Sequence, residues 1–135
     1  MDYPEHYESD ILFFFDGRPE ALALYRALAA RLDALAPQAS VKVQKSQISF
    51  YDGGLFAMAS LPRRKQDAGL LVSFGLGRRE PSPRVAVAAE PYPGRWTHHV
   101  PVAEEGELDG ELLGWLGEAR DFTKSKGRGR KNSSD

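Results

Sequence analysis

Residues 41–61 read VKVQKSQISFYDGGLFAMASL, and their pattern decides the fold. Apolar and polar residues alternate from Val41 and again over residues 48–51, which is typical of half-buried β-strands. The inward parity changes between the two runs, so a bulge or tight turn must lie within residues 44–47. Asp52-Gly53-Gly54 then predicts a hairpin, because glycine supplies the positive φ that tight hairpin turns need. The stretch therefore predicts three strands that are antiparallel in succession.

Further strand signals follow at short intervals. Residues 70–74, 85–89 and 97–102 are apolar or β-branched, and the segments between them contain Gly and Pro. Pro101 marks an edge strand or a strand end. Links of 2–10 residues leave no room for crossover helices. We therefore expect a mostly antiparallel sheet of five or six strands.

Two amphipathic stripes bracket these strands. Residues 21–35 carry apolar side chains at helical spacing, with Pro19 suited to the first helical position and Pro37 ending the pattern. Residues 108–122 carry a second such stripe. Both stripes need an apolar surface, and one face of the sheet is the candidate. The predicted fold is an α+β two-layer sandwich with the N- and C-terminal helices on one face.

The 135-residue length suits one domain. We expect an N-terminal arm at residues 1–12, a domain at residues 13–123, and a disordered basic tail at residues 124–135, which has no large apolar residue. The absence of cysteine excludes disulfides and thiolate chemistry. An acidic start without Lys or Arg, and no apolar run long enough to cross a bilayer, predict a cytoplasmic protein with no membrane partner.

The net charge of −1 conceals an asymmetry along the chain. Residues 1–40 carry −4, residues 41–101 carry +5, residues 102–123 carry −6 and residues 124–135 carry +4. With both helices on one face, this pattern predicts an acidic helix layer and a basic sheet layer.

The uncovered sheet face is then the candidate binding surface, because it combines amine and hydroxyl donors with an aromatic ring. Its candidate ligand-binding residues are Lys45, Gln47, Ser49, Tyr51, Arg95 and His99. The tail adds a flexible polyanion-binding arm made of Lys124, Lys126, Arg128, Arg130 and Lys131. Nucleic acid or a phosphorylated small molecule is the expected partner, and a plainly solvated face or a homodimer surface are the alternatives.

No catalytic constellation, cofactor site or metal site is predicted. His98 and His99 are adjacent on a strand, so they point to opposite faces and cannot chelate one ion. Gly75-x-Gly77 lacks the third glycine and the following helix of a phosphate-binding loop. We therefore favour a non-enzymatic module.

Four blocks carry a family resemblance: Phe15-x-Gly17-x-Pro19, Lys45-Ser46-Gln47-Ile48-Ser49-Phe50, Trp96-Thr97-His98-His99-Val100 and Leu108-Asp109-x-Glu111-Leu112-x-x-Trp115-Leu116. Their order resembles the bacterial "domain of unknown function 5655" family over about residues 13–122. The resemblance implies a small α+β domain with no established reaction and no catalytic residues to carry over.

Two other functions stay open at this point. One is a small enzyme with a pocket near Lys45, Ser49, Tyr51 and His99. The other is metal handling by the acidic helix layer, since the helix–strands–helix order is similar to the frataxin architecture.

Overall fold

The N-terminal region contains one more helix than the sequence predicts. The computed structural model describes residues 1–64 and 66–133, with side chains through residue 126. Helix α1 (Tyr7–Phe14) lies where an arm was expected, and it buries Ile11 completely. Helix α2 (Pro19–Leu35) has Pro19 in its first turn and buries the predicted stripe. Because α1 has a single fully buried apolar side chain, its sequence carries no helical stripe that could reveal it.

Within the described residues, six strands form one antiparallel sheet, as predicted. The strands are β1 (Ser40–Val43), β2 (Ile48–Tyr51), β3 (Leu55–Ser60), β4 (Leu70–Leu76), β5 (Val87–Tyr92) and β6 (Arg95–Val102). They lie in the order β1-β2-β3-β4-β6-β5, so β6 is inserted between β4 and β5. Pro101 therefore marks a strand end, since β6 is an interior strand and β5 forms the edge.

Both turns predicted in the first sheet half are present. The backbone N–H of Gln44 donates to the carbonyl of Gln47 at 2.9 Å, which closes a tight turn between β1 and β2. Gly53 has a φ of 74° in the turn between β2 and β3. A Cβ on the next residue, Gly54, would lie 2.7 Å from Thr123 Cγ2, so this turn is pressed against the last helix.

One row of side chains crosses the covered face of the sheet. The register aligns Val41, Phe50, Ala57, Phe74, His98 and Ala88 across the strands from β1 to β5. Tyr25 of α2 stacks on Phe50 with ring centroids 6.3 Å apart. Trp115 stacks on Phe74 at 5.8 Å. Both amphipathic helices therefore pack on the same face, and the predicted two-layer sandwich is confirmed.

The C-terminal helix begins after a short 3₁₀ turn and extends beyond the predicted stripe. The turn (Glu105–Glu107) is closed by a capping box between Glu104 and Glu107. Helix α3 (Gly110–Ser133) then continues through the point where the sequence predicts disorder. Lys124 lies on this helix and pairs with Asp52 at 3.3 Å. The helix continues beyond residue 122 because Thr123 and Lys124 contact the β2–β3 turn. Since these contacts are tertiary, the local sequence does not predict the extension.

The fifth strand is displaced toward the C-terminus from its predicted position. It begins at Val87 rather than at residue 85, and Val87 pairs with His99. Val87 therefore faces away from the helices and is 53% exposed. Val85 instead lies in the preceding loop, packed against the core. None of the helices in the described part of the chain has the length and apolarity to span a membrane.

Candidate functional site

The uncovered face of the sheet, called the open face here, is a single surface crossed by a row of paired residues. The register aligns Lys42, Ser49, Met58, Ser73, His99 and Val87 across all six strands. Neighbouring strands lie about 4.8 Å apart, so Ser49 and His99, three strands apart, are separated by roughly 14 Å. Ser49 and His99, which the sequence analysis assigns to one binding surface, therefore belong to two separate polar groups on the open face.

The first polar group lies at the β1–β2 end. Ser49 donates to Gln44 Oε1 at 2.8 Å, and Gln47 Nε2 donates to Ser49 Oγ at 3.0 Å. Ser49 itself is fully buried. Because these side chains satisfy one another, Gln47 and Ser49 act as a closed polar cluster that holds the turn.

The second polar group is the pair of Ser73 and His99. Ser73 Oγ lies 2.7 Å from His99 Nδ1, and the two residues are directly paired on β4 and β6. Ser73 is 4% exposed, whereas His99 is half-buried. Burial lowers the pKa of His99, and the positive charge of Arg63 acts in the same direction. The imidazole is therefore neutral near pH 7 and can accept the serine proton at Nδ1.

Its neighbour His98 has a different environment. His98 is fully buried on the covered face, where it stacks on Phe74 with ring centroids 5.3 Å apart. Its Nε2 accepts the backbone N–H of Glu80 at 2.9 Å. The two histidines thus lie on opposite faces, as their adjacency predicts.

Arg95 occupies the open face near the end of the sheet. A Cβ added to Gly75 would lie 2.9 Å from Arg95 Nη2, so the guanidinium rests on the strand where no side chain intervenes. Among the side chains that the structure describes, no carboxylate lies within ion-pair distance of Arg95. A guanidinium in this state keeps its N–H donors available for a ligand.

Arg95 also lines a cleft of about 350 Å³. We call this the Arg95 cleft; it is bounded by the β2–β3 turn, the β5–β6 turn and α3, through Gly53, Gly54, Leu55, Tyr92, Pro93, Arg95, Phe122, Thr123 and Lys126. Lys126 Nζ lies 5.7 Å from the centre of the Phe122 ring. Tyr92 is 58% exposed beside it. The cleft thus joins two cations, an exposed aromatic ring and glycine backbone in one concavity.

Two other cations of the strand region are paired with carboxylates of helix α3 and of Asp109, the residue before it. Arg78 pairs with Glu118 at 2.8 Å, and Arg84 pairs with Asp109 at 2.9 Å and with Glu111 at 3.0 Å. Hydrogen bonds from Arg84 lower the pKa of Asp109. The predicted separation into a basic sheet layer and an acidic helix layer is therefore incomplete, because these ion pairs join the two layers.

The remaining predicted site residues lie apart from the Arg95 cleft. Lys45 lines a separate cavity of about 380 Å³ with Asp10, Phe13 and Phe14 of α1. Tyr51 pairs with Ser40 and Leu55 on the open face. The four residues of the predicted enzyme pocket, Lys45, Ser49, Tyr51 and His99, are thus not brought together.

Of the predicted basic tail, Lys124 and Lys126 lie on α3, and Lys126 reaches the cleft. The side chains of Arg128, Arg130 and Lys131 lie outside the described ones. In the described ranges, no group of three or more His, Asp or Glu residues has the arrangement of a metal site. Ser73 and Tyr92 are not among the predicted site residues. The Pro93-Gly94 turn could have indicated that Tyr92 adjoins Arg95, whereas only the strand register reveals that Ser73 adjoins His99.

One comparison with known proteins gives a match. The family model described as "Domain of unknown function (DUF5655)" matches residues 13–123. No curated protein and no solved structure matches the chain.

Proposed function

The chain belongs to the DUF5655 family, and from that premise we propose that it is a binding module for a small phosphorylated ligand, held in the Arg95 cleft. The observation that carries the proposal is the guanidinium of Arg95, which lines the cleft and has no carboxylate partner among the described side chains. Paired N–H donors of a guanidinium match the oxygens of a phosphate.

Two further features of the cleft support a phosphorylated ligand. Lys126 of α3 supplies a second cation to the lining of the same cleft. Gly53 and Gly54 bring the backbone to the cleft wall without side chains that would keep a ligand away. Two cations that line one concavity favour an anion held inside it over one that lies on a flat surface.

Tyr92 extends the proposal to the rest of the ligand. Its ring is exposed at the β5–β6 turn and lines the same cleft. An exposed aromatic ring beside a phosphate-binding guanidinium suits a planar group attached to the phosphate, with stacking worth roughly 1–3 kcal/mol per base. A cleft of about 350 Å³ fits one such unit. Size therefore favours a mononucleotide-like ligand over a long nucleic-acid strand.

The experiment is a calorimetric titration of the full chain with adenosine 5′-monophosphate and with pyrophosphate, over a series of salt concentrations. We expect saturable binding of both ligands that weakens as salt rises, because the interaction is ionic. Arg95→Gln should abolish most of the binding. Arg64→Gln is the matched control, since it removes the same charge from an exposed loop pair with Asp67.

An oligothymidine of about twelve nucleotides is the third titrant. Binding of the oligomer with a much steeper salt dependence than the monophosphate would indicate a nucleic-acid surface in place of the cleft. Absence of binding by all three titrants, or equal binding by Arg95→Gln and the parent chain, would overturn the proposal.

A further inference from the structure

We propose that Ser73 and His99 form a nucleophile–base pair on the open face, able to take an acyl or phosphonyl group from an activated ester. This activity is distinct from ligand binding in the Arg95 cleft, and it uses neither Tyr92 nor Lys126. It would make Ser73 a catalytic residue, although the serine has no sequence motif around it.

The geometry of the pair is that of an activated serine. Ser73 Oγ and His99 Nδ1 are 2.7 Å apart, within the range expected for a nucleophile and its general base. The two residues are directly paired on the adjacent strands β4 and β6, which are interior strands of the sheet. A site built on interior strands is held more firmly than one on loops. The pair is therefore fixed in the arrangement that proton transfer requires.

The surroundings of His99 favour its neutral form. Burial lowers its pKa, and the charges that act on it from neighbouring elements are positive: Arg63 after β3 and, when protonated, His98 beside it. On β5 the paired residue is Val87, which adds no charge. A neutral imidazole with its hydrogen on Nε2 accepts the serine proton at Nδ1, whereas a protonated imidazole does not.

The reaction is a two-step transfer. His99 Nδ1 takes the hydroxyl proton of Ser73 while Oγ attacks the carbonyl carbon of the ester, and a new C–O bond forms. The tetrahedral intermediate then collapses, the bond to the leaving alcohol breaks, and the imidazolium returns the proton to that alcohol. Water repeats both steps on the acyl-serine and releases the acid, which restores the pair. No oxidant, reductant or metal enters the balance.

Ser49 provides a matched comparison on the same surface. It lies in the same row across the sheet, and it is also buried and hydrogen bonded. Its partners are the amide groups of Gln44 and Gln47, which cannot act as bases. A reagent that labels serine only when a base is present should therefore distinguish Ser73 from Ser49.

The test is covalent labelling of the full chain with a fluorophosphonate, followed by intact mass and peptide mapping. Ser73 Oγ displaces fluoride from phosphorus, and the proton leaves through His99. We expect a single adduct on Ser73, absent in Ser73→Ala and unchanged in Ser49→Ala. His99→Gln should label about 100-fold more slowly, because a general base contributes 10²–10⁴-fold.

The pH profile of labelling gives a second readout that needs no variant. The rate should be level near pH 7 and fall only at a pH below 6.5, because the pKa of His99 is lowered from that ordinary value. Absence of an adduct on Ser73 in the parent chain, or a rate that neither His99→Gln nor acid reduces, would overturn the proposal. Labelling reports on Ser73 and the calorimetric titration reports on the Arg95 cleft, so failure of the labelling and failure of the proposed binding function can be told apart.

Discussion

Two arginine-bearing regions of the molecule have opposite electrostatic surroundings. In the loop between β4 and β5, Arg78 and Arg84 make ion pairs with Glu118 and Glu111 of α3 and with Asp109, the residue before this helix. Arg84 also donates to the carbonyl of Glu107 at 2.7 Å. At the opening of β6, Arg95 lies over the backbone of Gly75, with no such partner among the described side chains.

The contrast separates structural cations from ligand-binding ones. The loop that carries Arg78 and Arg84 must pass β6 to reach the edge strand β5, and the ion pairs fasten it to α3 on the way. Among the described side chains, Arg95 makes no ion pair that fastens a loop to α3. A cation held in place by packing and left without a counter-charge is pre-organised for an anion from outside.

The largest effect is expected when one arginine of each region is replaced and the binding affinities of the two variants are compared. We expect Arg95→Gln to weaken adenosine monophosphate binding about 10- to 100-fold, since a charge-assisted hydrogen bond contributes about 1.5–3 kcal/mol. Arg84→Gln removes the same charge and should change the affinity less than about twofold. Titration calorimetry measures both, and equal losses in the two variants would show that only net charge matters.

Stability should respond in the reverse order. We expect Arg84→Gln to lower the free energy of unfolding by about 1–2 kcal/mol, because it removes several hydrogen bonds from a partly buried network. Arg95→Gln should cost less than about 0.5 kcal/mol. Urea denaturation monitored by tryptophan fluorescence gives both values, and a larger loss for Arg95→Gln would contradict the assigned roles.

A smaller effect should follow from moving Arg95 without removing its charge. Gly75→Ala places a Cβ 2.9 Å from Arg95 Nη2, so the flexible end of the arginine must shift. We expect the affinity to fall about threefold, or about 0.7 kcal/mol, with the fold retained. Gly114→Ala is the control, since a Cβ there meets no atom within 4 Å. An unchanged affinity in Gly75→Ala would mean that the position of the guanidinium is irrelevant.

The smallest effect concerns acid sensitivity of the loop. Hydrogen bonds from Arg84 lower the pKa of Asp109 in the folded state, so this carboxylate stabilises the protein above its ordinary pKa of 3.8. That stabilisation is lost as pH falls below 3.8 through the lowered pKa. Because Asp109 is exposed, the loss should be small, and Arg84→Gln should remove it. Urea denaturation of both proteins between pH 6 and 3 tests this, and an identical acid dependence would refute the coupling.

Much of the fold follows from local pattern. The alternation around Ile48 and the Gly53-Gly54 turn fix a hairpin, and the stripe that begins at Ala21 fixes α2, because both signals come from burial with a regular period. Helix α1 and the extension of α3 do not follow, because α1 buries only Ile11 and the extension depends on contacts between Thr123 and Gly54. The local sequence also does not predict the displacement of β5, because the position of an edge strand depends on its pairing with its single neighbour, β6.

The site follows from the sequence only in part. The positive charge of residues 41–101 and the predicted open face indicate Arg95 and His99 as candidates. The opposite faces of His98 and His99 follow from the strand period alone. Nothing local pairs Ser73 with His99, which are 26 residues apart, or brings Lys126 to Arg95. The sequence around Arg84 and Arg95 does not indicate which of them is ion-paired, because that depends on which distant side chains the fold brings to each.

The most direct test of the Arg95 cleft is a ¹H–¹⁵N correlation spectrum of the full chain titrated with adenosine 5′-monophosphate. We expect saturable shifts confined to the backbone amides of Gly53, Gly54, Tyr92 and Arg95, all abolished by Arg95→Gln. The amides of Arg78 and Arg84 should not shift. Shifts centred on the loop of Arg78 and Arg84, or no saturable shift at all, would contradict this expectation.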